Sequence, residues 1–318
     1  KLKEWEPECC QVFRLRTVKE GLVGKIRYCI GILGDMYHIA GAKLVICDTY
    51  SIPVSCLVHK KSLTIVQLWH AMGAIKKFGL QSVGREEGRE EKLSHILQMH
   101  ENYNYVLAPA KITAEFYSEA FGINIRKIII ATLPHIDYIL DGKTKKPLFL
   151  KYNPEFQGKK IVLYLPTFRE EEEKIVDHLE ETFEKEGELK LLVSLHPLSN
   201  VRKKEKYKVN GGLSTYDLMK LADYIITDYS ACAFEAAVLE KPLYFYVPDY
   251  TIYGKRRGLN IDLKSELPDS VFEKSEELYV RLTEDEYDFN ALTVFRRKYI
   301  ENTENCTEKV AKFMAGML

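Results

Sequence analysis

The sequence predicts an α/β protein of two Rossmann-like domains, each built on a parallel sheet, with the sheets facing a cleft. Three observations predict it. Short apolar runs of about five residues alternate with helical segments in both halves, the rhythm of βαβ units. The rhythm breaks once, at residues 141–160, where Lys, Gly and Pro gather without a period and read as an interdomain linker. The chain has 318 residues, enough to bury two cores.

The elements follow in order. Residues 21–39 carry a helical pattern. Residues 43–47 (KLVIC) form a buried strand, and Asp48 to Pro53 supply its exit turn. Residues 63–68 (LTIVQL) are a second strand, and 85–99 a charged amphipathic helix. Residues 105–108 and 127–131 are two more strands with a helix between them. After the linker, residues 161–165 (IVLYL) and 189–195 (LKLLVSL) are strands flanking a helix at 175–185. Ser214 and Asp217, three apart, open a helix over 214–221 with a capping box. Residues 224–227 and 243–247 are strands around a helix at 230–239, and the chain from Phe289 onward is helical. The expected domains are 1–143 and 144–288, with 289–318 a helical segment available to cross back to the first.

Composition excludes several classes. Lys and Arg number 46, as do Asp and Glu, so no basic excess marks a nucleic-acid binder. Hydrophobic residues at 46% argue against a disordered chain. Seven cysteines without a CxxC pair fit reduced thiols in a cytosolic setting better than a disulfide framework or a zinc site. No apolar run approaches the ~20 residues of a spanning helix, and no signal-peptide pattern is visible. No metal is expected, because neither HExxH nor an Asp-x-Asp pair occurs.

Five segments carry the chemistry. Gln67-Leu68-Trp69-His70-Ala71-Met72-Gly73 leaves a strand end, where α/β active sites lie. His70 can act there as a base near neutral pH. Trp69, the small Gly73, and Lys76 and Lys77 could hold an anionic acceptor, or be a loop and a solvated pair. Leu165-Pro166-Thr167-Phe168-Arg169 places a guanidinium at another strand exit, where it could grip phosphate or be a turn residue. Ser194-Leu195-His196-Pro197 puts a second histidine after a strand. Thr227-Asp228-Tyr229-Ser230 leads a strand into a helix whose N-terminus suits a diphosphate. Glu235 lies further along it, able to accept ribose hydroxyls; alternatively Asp228 and Ser230 are helix caps. Tyr253-Gly254-Lys255-Arg256-Arg257-Gly258 is a cationic loop. Of the other histidines, only His135, beside Pro134 after a strand, competes.

Taken together, WHAMGAIKKFG, YLPTFR, LHP, ITDYSACAFEAAVLEKPLYFYVPD and Y-x-x-x-RGLN, in this order, resemble the CDP-glycerol glycerophosphotransferase family from about Ala40 to Leu318. The resemblance implies a GT-B fold with an acceptor domain followed by a CDP-donor domain. It implies His70 as the general base and His196 near the donor phosphates. It also implies Ser230 with Thr227 and Asp228 at the diphosphate, Glu235 at the nucleotide, and Arg169 and Arg257 as basic positions. The substrate it implies is CDP-glycerol or CDP-ribitol, with no prosthetic group. The acceptor would be an undecaprenyl-linked teichoic acid precursor, met by a peripheral protein at the cytoplasmic membrane face; a homo-oligomer is compatible with it. The family's WHG-T-P reads Trp69-His70-Ala71-Met72-Gly73 here, which keeps the base and alters the adjoining loop. The competing readings are a GT-B glycosyltransferase or epimerase using UDP or GDP, and a scaffold without turnover.

Overall fold

The computed structural model describes residues 1–15, 21–169, 171–186, 189–196, 199, 201, 206, 209 and 211–318. Pro197, expected to fix the turn after His196, and residues 202–205 of a basic run lie outside them. Contacts divide the chain into two units. The first is Lys1–His70, Phe78–Pro134 and Glu304–Leu318; the second is Ala71–Lys77 and His135–Thr303. The division therefore falls at Pro134, nine residues before the boundary expected at 143. The segment that rejoins the first unit begins at Glu304 rather than 289.

The first unit holds a four-stranded parallel sheet in the order β1 (Leu44–Cys47), β2 (Thr64–Gln67), β3 (Tyr105–Ala108), β4 (Ile128–Ile130). The strands are short and rich in Val and Ile, as strands covered on both faces are. Val66 and Leu107 pack on one face against Val310 and Met314 of the C-terminal helix Cys306–Ala315. The helix Lys111–Phe121 buries Ala114, Tyr117, Ala120 and Phe121 and stops at Gly122 in the left-handed conformation, a common helix end.

Two helices differ from expectation. Residues 85–99 were expected to be one helix; only Glu91–Ile96 is helical. A side chain at Gly88 would put its Cβ 1.6 Å from the Ser82 carbonyl oxygen. The Gly84 N–H bonds back to the Arg89 carbonyl at 3.0 Å, so the stretch folds into turns. The helix Gly21–Gly41 forms, but of its residues only Ile39 is buried. Leu22, Ile26, Ile30, Leu33 and Tyr37, at helical spacing, are 51–79% exposed and make a continuous apolar stripe.

The second unit holds a five-stranded parallel sheet: β5 (Ile161–Leu165), β6 (Lys190–Val193), β7 (Tyr224–Thr227), β8 (Leu243–Tyr246) and β9 (Val271–Phe272), in the order β6-β5-β7-β8-β9. The two-residue β9 was not expected. β6 and β7 flank β5 on opposite sides, so the order reverses at β5/β7. Such a switch point leaves a crevice at the strands' C-terminal ends, where open α/β sheets bind ligands. Val162, Tyr164, Ile226, Tyr244 and Tyr246 form the core face with Val176, Leu179 and Phe183 of the helix Glu172–Glu186.

The expected linker is instead folded into this unit. Lys146–Tyr152 is a helix with Pro147 in its first turn, followed by a 3-10 turn at Pro154–Phe156. Phe149 is fully buried, its ring edge-on to Phe156 at 5.1 Å. Two aromatic anchors outweigh a composition that reads as a connector. Phe149→Ala should therefore cost about 3–5 kcal/mol in urea unfolding, whereas a true linker position would lose almost nothing.

Candidate active site

In the first unit, the site residues stand at the C-terminal ends of β1 and β2. Cys47 pairs in register with Gln67, and the Leu68 N–H donates to the Cys47 carbonyl at 2.7 Å. The chain then turns sharply: Trp69 has φ +61°, a costly conformation for a bulky residue. Its ring is held by stacking on Phe78 at 5.1 Å and by edge contacts with Phe121 and His100. His70 is exposed. Its Nδ1 lies 3.0 Å from the Asp48 carbonyl oxygen. A carbonyl only accepts, so Nδ1 carries the proton and Nε2 keeps its lone pair. That is the tautomer a general base needs.

His100 is buried beneath this turn, among Tyr50, Trp69, Tyr103 and Phe121. Its sequence context reads as polar; its surroundings are aromatic. Burial, aided by the charge of Arg89, lowers its pKa to about 4, so it is neutral at pH 7.

The chain passes into the second unit after His70. Gly73 lies against Phe234: a Cβ there would fall 2.4 Å from the ring. Residues 75–77 run antiparallel to 258–260. Lys76 bridges Leu259, the Lys77 N–H donates to the Gly258 carbonyl at 2.9 Å, and the Asn260 N–H to the Ile75 carbonyl at 2.8 Å. Arg257 Nε donates to the Lys77 carbonyl at 3.1 Å. Lys76, Lys77 and Arg257 are thus brought together, half-buried.

At the switch point, three expected donor-binding residues have another job. Thr227 is buried and its hydroxyl donates to the Leu165 carbonyl at 2.8 Å. Asp228 is 0% exposed and accepts from the Thr167 N–H and hydroxyl, the Tyr229 N–H and Arg169 Nη2. The Arg169 side chain is only 3% exposed and its Nη1 donates to Asp249 at 2.5 Å. The guanidinium also lies 5.3 Å and 5.5 Å from the rings of Tyr229 and Tyr253. Burial works against its charge, and the two carboxylates more than offset this, raising its pKa above the ordinary value. A guanidinium so enclosed ties the exits of β5, β7 and β8 together.

Ser230 and Glu235 remain beside this network. The helix runs Cys232–Val238 with Ala231 at its N-cap; Ser230 lies one residue before it and accepts weakly from the Cys232 N–H at 3.4 Å. Glu235 is 4% exposed. Its Oε1 accepts from His135 Nε2 at 3.1 Å, and its Oε2 is buried without a hydrogen-bond partner among the described residues. His135 stacks on Tyr216 at 5.1 Å. His196 is exposed three residues beyond β6, facing the ring of Phe168 at 6.1 Å. Asp249 and Tyr216 carry no expected role from sequence, and Tyr229 and Tyr253 stand in the quoted motifs without one. Only the VPD string after β8 marked Asp249. Among the described residues, no three His, Cys, Asp or Glu side chains cluster as a metal site.

The architecture of two parallel-sheet units, with the candidate residues at strand exits, is that of a known fold class. Two solved structures show the fold, which is GT-B: a variant of the wall teichoic acid polymerase TagF and the UDP-GlcNAc 2-epimerase from Neisseria meningitidis. The first has a TM-score of 0.66 at 19% identity, covering 87% of this chain and 72% of that one. The second has a TM-score of 0.57 at 14% identity, covering 95% and 84%. The profile of the family described as CDP-Glycerol:Poly(glycerophosphate) glycerophosphotransferase matches residues 16–315. The chain belongs to this family, and is a transferase of the CDP-polyol phosphotransferase type. The teichoic acid ribitol-phosphate primase of Bacillus spizizenii is 28% identical over 100% of this chain and 86% of its own length. The glycerol-phosphate primase of Bacillus subtilis is 27% identical over 91% and 77%.

Two outcomes test the geometry. Arg169→Leu leaves Asp228 buried and unpaired, so it should lose about 3–5 kcal/mol of stability, read by urea unfolding. His100 has its pKa below the unfolded value, so the unfolded state binds more protons between about pH 6.5 and pH 4. Stability is full above that window and falls through it by about 3 kcal/mol at most. In His100→Asn, which tolerates the positive φ at this position, the acid slope of the melting temperature should flatten.

Proposed function

We propose that the protein transfers glycerol phosphate from CDP-glycerol to a hydroxyl of an undecaprenyl-diphosphate-linked teichoic acid precursor, releasing CMP. The observation that carries this is His70, exposed at a strand exit with Nδ1 tied to the Asp48 carbonyl. His70 Nε2 takes the acceptor's proton as the oxygen attacks the glycerol-bearing phosphorus. The bridging P–O bond breaks, and the electron pair leaves on CMP. His196 and Ser230 serve the donor phosphates, with Arg257, Lys76 and Lys77 as surrounding cations. Glu235, with Oε2 unpartnered, accepts from the nucleotide's hydroxyls. Arg169, Asp228 and Thr227 shape the exits rather than touch the donor. Gly73 lets its segment close on Phe234, and Trp69 sets the turn that presents the base.

CDP-ribitol is the second reading, favoured by the full-length similarity to a ribitol-phosphate primase. UDP and GDP donors rank below both. Membrane recruitment fits the lipid-linked acceptor. No described helix is long and apolar enough to cross a bilayer. The stripe of Gly21–Gly41, with Lys25 and Arg27 on the same helix, suits a peripheral seat at an anionic surface.

His70→Ala should reduce turnover at least 100-fold while CDP-donor affinity stays within about twofold. Calorimetry with CDP-glycerol, CDP-ribitol and UDP-GlcNAc identifies the donor; binding of UDP-GlcNAc alone would discard the proposal. In flotation with phosphatidylglycerol vesicles, Ile30→Ser/Leu33→Ser should release the protein; retention would remove the stripe from the account.

A further inference from the structure

We infer that Gln67 is a positioning residue that holds His70 as the base, by bracing the two loops between which the imidazole is hung. This deepens the proposed reaction and rests on it for its effect on turnover, though not for its geometry.

Gln67 is the last residue of β2 and is 0% exposed. Its amide is bonded at both ends. Oε1 accepts from the Trp69 N–H at 2.8 Å. Nε2 donates to the Thr49 carbonyl at 3.0 Å and to the Tyr103 hydroxyl at 3.1 Å. One side chain thereby joins the loop after β1, the turn after β2 and the residues leading into β3. The His70 imidazole spans the first two: its backbone follows Trp69, and its Nδ1 partner is the carbonyl of Asp48, next to Thr49. Gln67 fixes both ends of that bond. It also supplies a partner for the Trp69 N–H, which helps hold a conformation of φ +61° that this residue would otherwise avoid.

The direction of each bond follows from the groups. Gln67 Nε2 can only donate, so the Tyr103 oxygen accepts. The Tyr103 proton is then available to His100 Nδ1, 3.2 Å away, which accepts as a neutral imidazole. The chain Gln67 to Tyr103 to His100 is consistently donor to acceptor, and it ends in the aromatic bed on which Trp69 rests. Glutamate at 67 would keep the acceptor for Trp69 and lose the donor to Thr49. Leucine would lose both.

The test reads the His70 tautomer on the full chain, without substrate. In ¹⁵N-histidine-labelled protein, the His70 signal is the one that disappears in His70→Ala. Wild type should show the Nδ1–H form above its pKa; the Nε2–H form there would overturn the inference without any variant. In Gln67→Glu and Gln67→Leu, with circular dichroism unchanged, the signal should move to the Nε2-protonated form usual in free imidazole. A folded variant that keeps Nδ1–H overturns the inference. Turnover with CDP-glycerol or CDP-ribitol and a prenyl-diphosphate-linked acceptor should fall 10–100-fold in either variant, with the donor KM within twofold. In a His70→Ala background, the second substitution should change turnover less than twofold. A further large loss there would mark a general structural role and overturn it. Should His70→Ala itself leave turnover intact, the proposed reaction fails, while the tautomer result still decides whether Gln67 holds His70.

Discussion

The second unit depends on a buried charge. Asp228, wholly inside at the end of β7, pairs with Arg169, and the enclosed Arg169 pairs in turn with Asp249. A charge moved from water into protein loses several kcal/mol of solvation, and only close, well-oriented partners restore it. Here the partners come from three strand exits. Each loop must approach the others to neutralise them, and the exits of β5, β7 and β8 are fixed by electrostatic necessity. Tyr229 and Tyr253, stacked on each other at 3.9 Å, shield the guanidinium from water and strengthen the pairing.

The first unit solves the same problem with a neutral group. Strand exits leave backbone N–H and C=O groups that must find partners if buried. Gln67 supplies two donors and an acceptor to such groups without importing a charge. The choice fits the neighbours. A carboxylate here would add a second buried charge, whereas an amide satisfies these groups without one. In both units the bracing group is buried, while His70 and His196 are exposed. The bracing groups and the exposed histidines are different residues.

This division explains what the sequence made legible. The strands were readable because short Val- and Ile-rich runs bounded by turn residues have few other uses, and the Ser214–Asp217 capping box was readable because its spacing is local. The positions of His70 just after a strand and of Ser230 just before a helix followed directly. The pairing of Arg169 with Asp228 was not legible, because a strand-exit guanidinium and carboxylate look the same whether they face a phosphate or each other. Only the 59-residue separation closed by the fold distinguishes the two cases. The His135–Glu235 pair, 100 residues apart, was invisible for the same reason. The supposed linker failed differently: its composition is that of a connector, but Phe149 and Phe156 bury, and two aromatic side chains can outweigh many polar residues on the surface.

Net charge is a poor guide to what such a protein can bind, and the pairing of residues 75–77 with 258–260 shows why. The chain sums to zero, yet this backbone bridge sets Lys76 and Lys77 beside Arg257, 180 residues away. A local cluster of cations acts on an anion within about a Debye length, roughly 8–10 Å, beyond which salt screens the remaining charges. The acidic surface that balances the sum can therefore lie elsewhere without cancelling the field at this point. What matters for a diphosphate is the density of positive charge that the fold can hold in one place. Two short segments, each an ordinary basic run in sequence, meet only because they are hydrogen-bonded edge to edge.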